Sequence, residues 1–328
     1  MLICSYQYVC FILCKRVGLS LNQRIQSEFL TNQQIMKKKL TFFSLLFLLA
    51  FCTKPEQKTE EVPTVNIDPM ENLVTAILDV KKNFKQTDLL SRELPNITRK
   101  QAFEIQLKML DKEIASGRKL VGYKMGGTKT ADPASYNPVF GYMLDSNVIE
   151  EDSTVLAENF PGGDVMVEAE IGFIMNKDFA DGASSLEDLK AGIDYVFCAV
   201  EFAKGVSIPI DGNAETMNIN HTIASGMGQA GLIIGSGRTR IEDFDLENET
   251  VSCLINGESK AEGVSSNVFG NPLNALMSIV NLLPEHGKSL KKGDIVITGS
   301  LFDNPTINST SNVLLKFSTL GEIHFSMK

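Results

Sequence analysis

Apolar residues recur at three- and four-residue spacing in two early stretches, 70–80 and 101–114, the second marked by Phe103, Leu107, Leu110 and Ile114. That period puts them on one face of a helix and predicts two amphipathic helices. Thr98 stands where the second needs an N-cap, and Gly117 where it must stop. After Val121 the pattern changes to short β-type runs broken by Gly, Pro, Asn and Asp: 165–175, 198–203, 231–235, 250–255, 294–299, 313–317 and 322–327. Asn256-Gly257 predicts a two-residue hairpin, because both residue types tolerate the left-handed backbone of such a turn. Two helices interrupt the strands. Ser185 caps one with Leu186, Leu189, Ile193 and Val196 on a single face, and the other covers 272–283. No internal repeat occurs. The order of elements predicts one α+β domain over 70–328, helical over 70–120 and strand-rich over 121–328.

The chain ahead of residue 70 has another texture. Residues 36–52 read MKKKLTFFSLLFLLAFC: a start methionine, three lysines, an apolar core over 40–51 and a cysteine. This is the layout of a secretory signal, and its core is well short of the ~20 residues of a membrane-spanning helix. Leu49-Ala50-Phe51-Cys52 resembles a bacterial lipoprotein box, with Phe51 where a small residue is usual. It implies lipidation at Cys52, an exported and membrane-anchored protein, and a polar tether over 53–69. The alternative is a buried apolar helix in a cytoplasmic protein. Residues 1–35 read as an extension upstream of Met36.

The full chain has 328 residues, with 31 Lys+Arg against 40 Asp+Glu and a net charge of −9. A nucleic-acid binder needs a basic stripe, so that class is set aside. Cys4, Cys10, Cys14 and Cys52 precede the folded body, which keeps only Cys198 and Cys253. Those two make no disulfide framework and no C-x-x-C pair, and with three histidines they leave little for a zinc cage. Gly226-x-Gly228-x-x-Gly231 precedes a strand rather than opening a helix, so it is no dinucleotide fingerprint. Cys198 lies in an apolar run and reads as a core residue.

The chemistry concentrates in VMVEAEIGFIM, residues 165–175. Strand alternation sends Val165, Val167, Ala169, Ile171 and Phe173 to one side, and Glu168 with Glu170 to the other. Two carboxylates side by side in an apolar strand repel each other unless something positive neutralises them. Glu201 lies in a second apolar run, YVFCAVEFA, after the Ser185 helix. A strand–helix–strand crossover would return Glu201 beside the first pair. Three carboxylates without His or Cys form a hard-ligand set suited to Mg²⁺, Mn²⁺ or Ca²⁺. The pattern fits equally well a wet edge strand, with Glu201 paired to a lysine.

Several motifs in order carry a resemblance: Gly122-Tyr123-Lys124-Met125-Gly126, Val167-Glu168-Ala169-Glu170-Ile171-Gly172-Phe173, Glu201, Gly270-Asn271-Pro272-Leu273-Asn274-Ala275-Leu276, and Gly293-Asp294-Ile295-Val296-Ile297-Thr298-Gly299-Ser300. With them the chain resembles the fumarylacetoacetate hydrolase superfamily over about 70–328, in particular its 2-oxopent-4-enoate hydratases and 4-oxalocrotonate decarboxylases. The resemblance implies a mixed-sheet β-roll with N-terminal helices, and Mg²⁺ or Mn²⁺ held by Glu168, Glu170 and Glu201. It implies a lyase acting on a small 2-oxo or 2-hydroxy-dienoic acid through a metal-stabilised enolate, in a homo-oligomer. Lys124 then falls in the active site, where an ammonium holds the carboxylate or assists proton transfer; its bland reading is an exposed lysine in a turn. Gly299 and Ser300 fall at the substrate. Where the hydratases carry Asp-Asn and then Ser, this chain has Ser225-Gly226 and Gly228, and Val139 replaces an aspartate. Ser225 and His221 are the candidate substitutes, His221 in NINHT reading otherwise as a surface histidine; His286 and His324 read as structural. Two other functions stay open: a C–C hydrolase or tautomerase of acylpyruvate-like acids, and an inactive exported acid-binding lipoprotein.

Overall fold

The computed structural model describes residues 69–130, 135–160, 164–213, 216–308 and 310–328. The extension, the signal-like segment with Cys52 and nearly all of the tether lie outside the described residues. Among the described residues no helix is long and apolar enough to cross a membrane.

Helix α1 (Pro69–Lys82) buries Val74, Ile77 and Leu78, and the short α2 (Leu89–Glu93) follows it. Helix α3 (Arg99–Ala115) starts as the sequence predicts. The Thr98 side chain accepts from Gln101 N–H while the Gln101 side chain accepts from Thr98 N–H, a reciprocal cap that stabilises the start by about 1 kcal/mol. Gly117, at φ +98°, turns the chain out. Ile114, assigned to the apolar face, is instead 45% exposed, because the buried face runs through Gln106, Leu110 and Glu113. Gln106 is fully buried and donates its amide to Phe140 O and Ile223 O, fixing α3 against the residues it covers.

The main sheet contains β1 (Leu120–Gly126), β2 (Val139–Leu144), β3 (Val148–Ile149), β5 (Val165–Met175), β6 (Ile193–Ala203), β7 (Gln229–Ile234), β10 (Ile295–Ser300) and β11 (Thr306–Ile307). Its order is β2-β1-β10-β5-β6-β7-β3, with β11 on β5. A second sheet runs β4-β13-β12-β8-β9, from β4 (Thr154–Val155), β8 (Thr250–Ile255), β9 (Glu258–Val264), β12 (Ser311–Phe317) and β13 (Gly321–Met327). The remaining helices are α4 (Leu186–Ala191), α5 (Ile219–Ala224) and α6 (Pro272–Leu282). Between β8 and β9, Asn256 (φ 53°) and Gly257 (φ 84°) form the expected hairpin turn.

One expectation is corrected. β5 and β6 are neighbours, but they pair antiparallel, not through a parallel crossover. A parallel return must retrace the 11 residues of β5, roughly 36 Å of strand, whereas the six residues of α4 span roughly 9 Å. Gly192 ends α4, so Ile193 and Val196 belong to β6, not to the helix face assigned to them. β1, β2 and β9 escape the periodicity: β1 alternates through Gly122, Lys124 and Gly126, β2 is buried throughout, and β9 is polar.

The two faces of the main sheet differ. On one, Val167, Ile171 and Phe173 join the large core with Phe103, Leu110, Val313 and Ile323, and Phe202 meets Phe325 of the second sheet edge-on at 5.0 Å. On the other, Met143, Phe197, Ala199, Leu232 and Ile297 form a separate, fully buried apolar cluster. Glu168, Glu170 and Glu201 share this second face, set beyond the cluster along the strands. Gly172 makes the packing close: a Cβ there would lie 2.2 Å from the Phe197 ring. Gly172→Ala is therefore expected to destabilise the protein by about 1–3 kcal/mol in urea unfolding, by forcing Phe197 off its position. An unchanged midpoint would show that the apolar cluster yields freely.

Candidate metal centre

Pairing of β5 with β6 sets Glu168 directly opposite Glu201, and alternation puts Glu170 on the same face. The strands thus bring one oxygen from each carboxylate within 4.8 Å of the others. β1 adds Lys124, whose Nζ lies 2.7 Å from Glu201 Oε1 and donates to Met227 O at 3.2 Å. Gly141 leaves room for this lysine, since a Cβ there would lie 3.2 Å from Lys124 Cγ. Glu170 and Glu201 are fully buried and Lys124 is 4% exposed, so Glu170 lies on no wet edge and Lys124 in no exposed turn, while the lysine partner of Glu201 in the alternative reading is present.

The cage is short of positive charge. Three carboxylates face one ammonium. Glu170 Oε2 accepts the Gly299 N–H at 2.6 Å, but its Oε1 finds no donor, nor does Glu201 Oε2. Burial, then the charges of Glu201 and Glu168, hold Glu170 well above the usual carboxylate range. Burial pushes Glu201 up to about 7, against the pull of Lys124. Burial opposes the charge on Lys124, yet Glu201, Glu168 and Glu170 together hold its pKa above the ordinary lysine value. Fully ionised, the group carries a net −2, and among the described residues Glu170 Oε1 and Glu201 Oε2 have no donor. A divalent cation fits this deficit in charge and in its all-oxygen donor set.

The remaining candidates divide. Gly299 positions Glu170 through its backbone; at φ +107°, with a Cβ that would fall 2.0 Å from Thr128 Oγ1, it must be glycine. Ser300 stands opposite Glu170 in the ladder, but its hydroxyl donates to Phe302 O. His221 is not a surface residue. Asn218 caps α5 and turns His221 inward to 4% exposure, where its ring nitrogens contact Ser91 Oγ and Leu94 O. Ser225 donates to His221 O at the end of the same helix. Neither meets the carboxylates through a hydrogen bond. His286 packs its ring at 4.4 Å from Phe103, and His324 lies 3.8 Å from Asp152. Cys198 is buried, with its thiol pushed by burial up to about 12, as suits a core residue.

Asn304 is the residue that sequence reasoning missed. Its Nδ2 donates to Glu168 Oε1 at 2.7 Å, across 136 positions of chain that carry no local signal. It orients the most exposed of the three carboxylates. Asn304→Ala is expected to weaken Mn²⁺ binding about 10–100-fold, read by calorimetry, with the fold intact. Unchanged affinity would make Asn304 a bystander.

No family model matches the chain. It is 24% identical to the 4-oxalocrotonate decarboxylase of Pseudomonas putida over 265 residues, 79% of this chain and 97% of that protein. It is 28% identical to the 2-oxo-hept-4-ene-1,7-dioate hydratase of Escherichia coli over 233 residues, 70% of this chain and 86% of that protein. Among solved structures, the 4-oxalocrotonate decarboxylase from Pseudomonas putida G7, complexed with magnesium and adipate, superposes with a TM-score of 0.72 at 23% identity, covering 79% of this chain and 97% of that one. The fumarylacetoacetate hydrolase of Exiguobacterium antarcticum gives 0.52 at 14% identity, covering 64% and 76%. In fold the chain is similar to these two solved structures, and in sequence to the decarboxylase and the hydratase named above.

Proposed function

We propose that the chain is a divalent-metal-dependent lyase of the hydratase/decarboxylase type, acting on a 2-oxo or 2-hydroxy-dienoic acid such as 2-hydroxypenta-2,4-dienoate. The observation that carries this reading is the buried cage of Glu168, Glu170 and Glu201, neutralised only in part by Lys124. Mg²⁺ or Mn²⁺ held there supplies Lewis acidity for the negative charge of an enolate, the form through which such acids gain water or lose carbon dioxide. The protein's own groups do the rest. Gly299 N–H and Asn304 hold Glu170 and Glu168 in place, so the cage is assembled before substrate arrives. Lys124 is buried and stays protonated, so it can bind the acid's carboxylate or carry a proton at Nζ. The relatives' names, decarboxylase and hydratase, support this class.

The test is ultraviolet loss of 2-hydroxypenta-2,4-dienoate absorbance with the purified full chain. Turnover with Mn²⁺ that stops in EDTA is expected. Inertness toward the dienoate, with cleavage of an acylpyruvate, would transfer the site to C–C hydrolysis; inertness toward both would leave a binding protein. For the N-terminal segment, the layout of residues 36–52 supports export with an anchor at Cys52. Cys52→Ala should move the protein from the membrane fraction to the soluble one, and unchanged partitioning would remove the anchor.

A further inference from the structure

The two ends of the main sheet, β2 on one side and β7 with β3 on the other, approach each other without sharing a ladder among the described residues. Asn147, in the link from β2 to β3, donates to Ala230 O of β7 at 3.4 Å. A cavity of about 490 Å³ opens there. Its described lining has three cations, Lys81, Lys82 and Arg118, against one carboxylate, Glu113, in a chain whose net charge is −9. Arg118 Nε pairs with Glu113 Oε2 at 3.1 Å, so the surplus positive charge falls on the lysines.

Two groups at the seam lack partners that match their chemistry. Gln229 is 2% exposed, and its Nε2 has no acceptor among the described residues. Among the described residues the Lys81 ammonium meets Gly226 O at 3.5 Å and the face of the Tyr142 ring at 5.1 Å. It occupies the space a side chain at 226 would take, since a Cβ on Gly226 would lie 2.5 Å from Nζ. Burial, then the charge of Lys124, pushes Lys81 down to about 8 against the pull of Glu113 and Glu201, and an anion in the cavity would relieve the deficit that remains. A buried amide donor beside under-satisfied ammonium calls for an acceptor, and a charged one most of all. Leu144, Ile149 and Phe160 give the same cavity an apolar wall.

We propose that the seam cavity is a second ligand site, which takes a short-chain organic acid. Its carboxylate sits between Lys81 Nζ and Gln229 Nε2, and its carbon chain lies against Phe160 and Leu144. The site is separate from the carboxylate cage. The Gly226-Met227-Gly228 turn stands between them, giving its Gly226 carbonyl to Lys81 and its Met227 carbonyl to Lys124.

The experiment is calorimetric titration of the full chain with adipate, and separately with inorganic phosphate, in four proteins: Mn²⁺-loaded wild type, Glu170→Gln, Lys81→Met and Gln229→Leu. Adipate binding that persists in Glu170→Gln and weakens about tenfold or more in both seam variants is expected. Retained binding of one Mn²⁺ per chain by the seam variants shows that they are folded. Adipate binding lost in Glu170→Gln but intact in Lys81→Met would overturn the proposal, because the acid would then sit on the cage. Phosphate binding without adipate binding would overturn the organic-acid assignment, and no binding of either would remove the site. Each outcome is independent of whether the cage turns over a dienoate.

Discussion

Glu170→Gln and Glu201→Gln are each expected to weaken Mn²⁺ binding by more than about 100-fold, beyond the 10–100-fold typical of residues that only support a ligand. Turnover should be lost with it. The amide keeps the shape of the carboxylate and can still accept the Gly299 N–H at position 170, so the change is one of charge and ligand strength. The metal-free protein should lose no stability in Glu170→Gln. A carboxyl already driven toward neutrality by burial and two like charges is replaced there by a neutral group of the same size. That contrast separates a metal cage from a structural ion cluster, in which each substitution would cost stability and leave Mn²⁺ binding alone. Calorimetry and thermal unfolding in EDTA read the two quantities on the same samples.

Acidification of the metal-free protein is expected to stabilise it. Glu201 titrates near 7 when folded, against 4.5 for the ordinary group. A folded value above the unfolded one means that the folded state binds the proton more tightly. The contribution is fully present below pH 4.5 and is lost as pH rises through about 7. The melting temperature in EDTA should therefore rise on going from pH 8 to pH 5.5, whereas Mn²⁺, competing with the same protons, should bind more tightly as pH rises through 7. Glu170, held up by burial and its neighbours, and Asp294, pushed by burial up to about 6, act in the same direction, so the Glu201→Gln variant is the control that isolates Glu201. A flat EDTA profile in wild type, or the same slope in Glu201→Gln, would contradict the reading.

What the chain discloses in advance follows the range of the forces involved. The cap of α3 needs only Thr98 and Gln101, and the hairpin turn only Asn256 and Gly257, so local chemistry reveals both. The Glu168–Glu170 pair is legible because strand alternation is a two-residue rule. A parallel crossover is not what brings Glu201 beside the pair: the neighbours are antiparallel, and it is the register of β6 on β5, fixed over the whole length of both strands, that sets Glu201 opposite Glu168. Asn304 and the Met227 carbonyl could not be read at all, since each reaches its partner from a distant loop. His221 shows the converse error. Its polar neighbours suggest a surface, yet a single capped turn of helix rotates the ring into the protein.

The central claim is that three carboxylates from two neighbouring strands hold one ion. A crystal of the full chain grown with Mn²⁺ and measured at a wavelength where manganese scatters anomalously tests it directly. A single strong peak per chain, about 2.1 Å from one oxygen each of Glu168, Glu170 and Glu201, is the predicted result. A peak elsewhere with none among these oxygens, or Lys124 closing over Glu201 with no density between the three carboxylates, would contradict it.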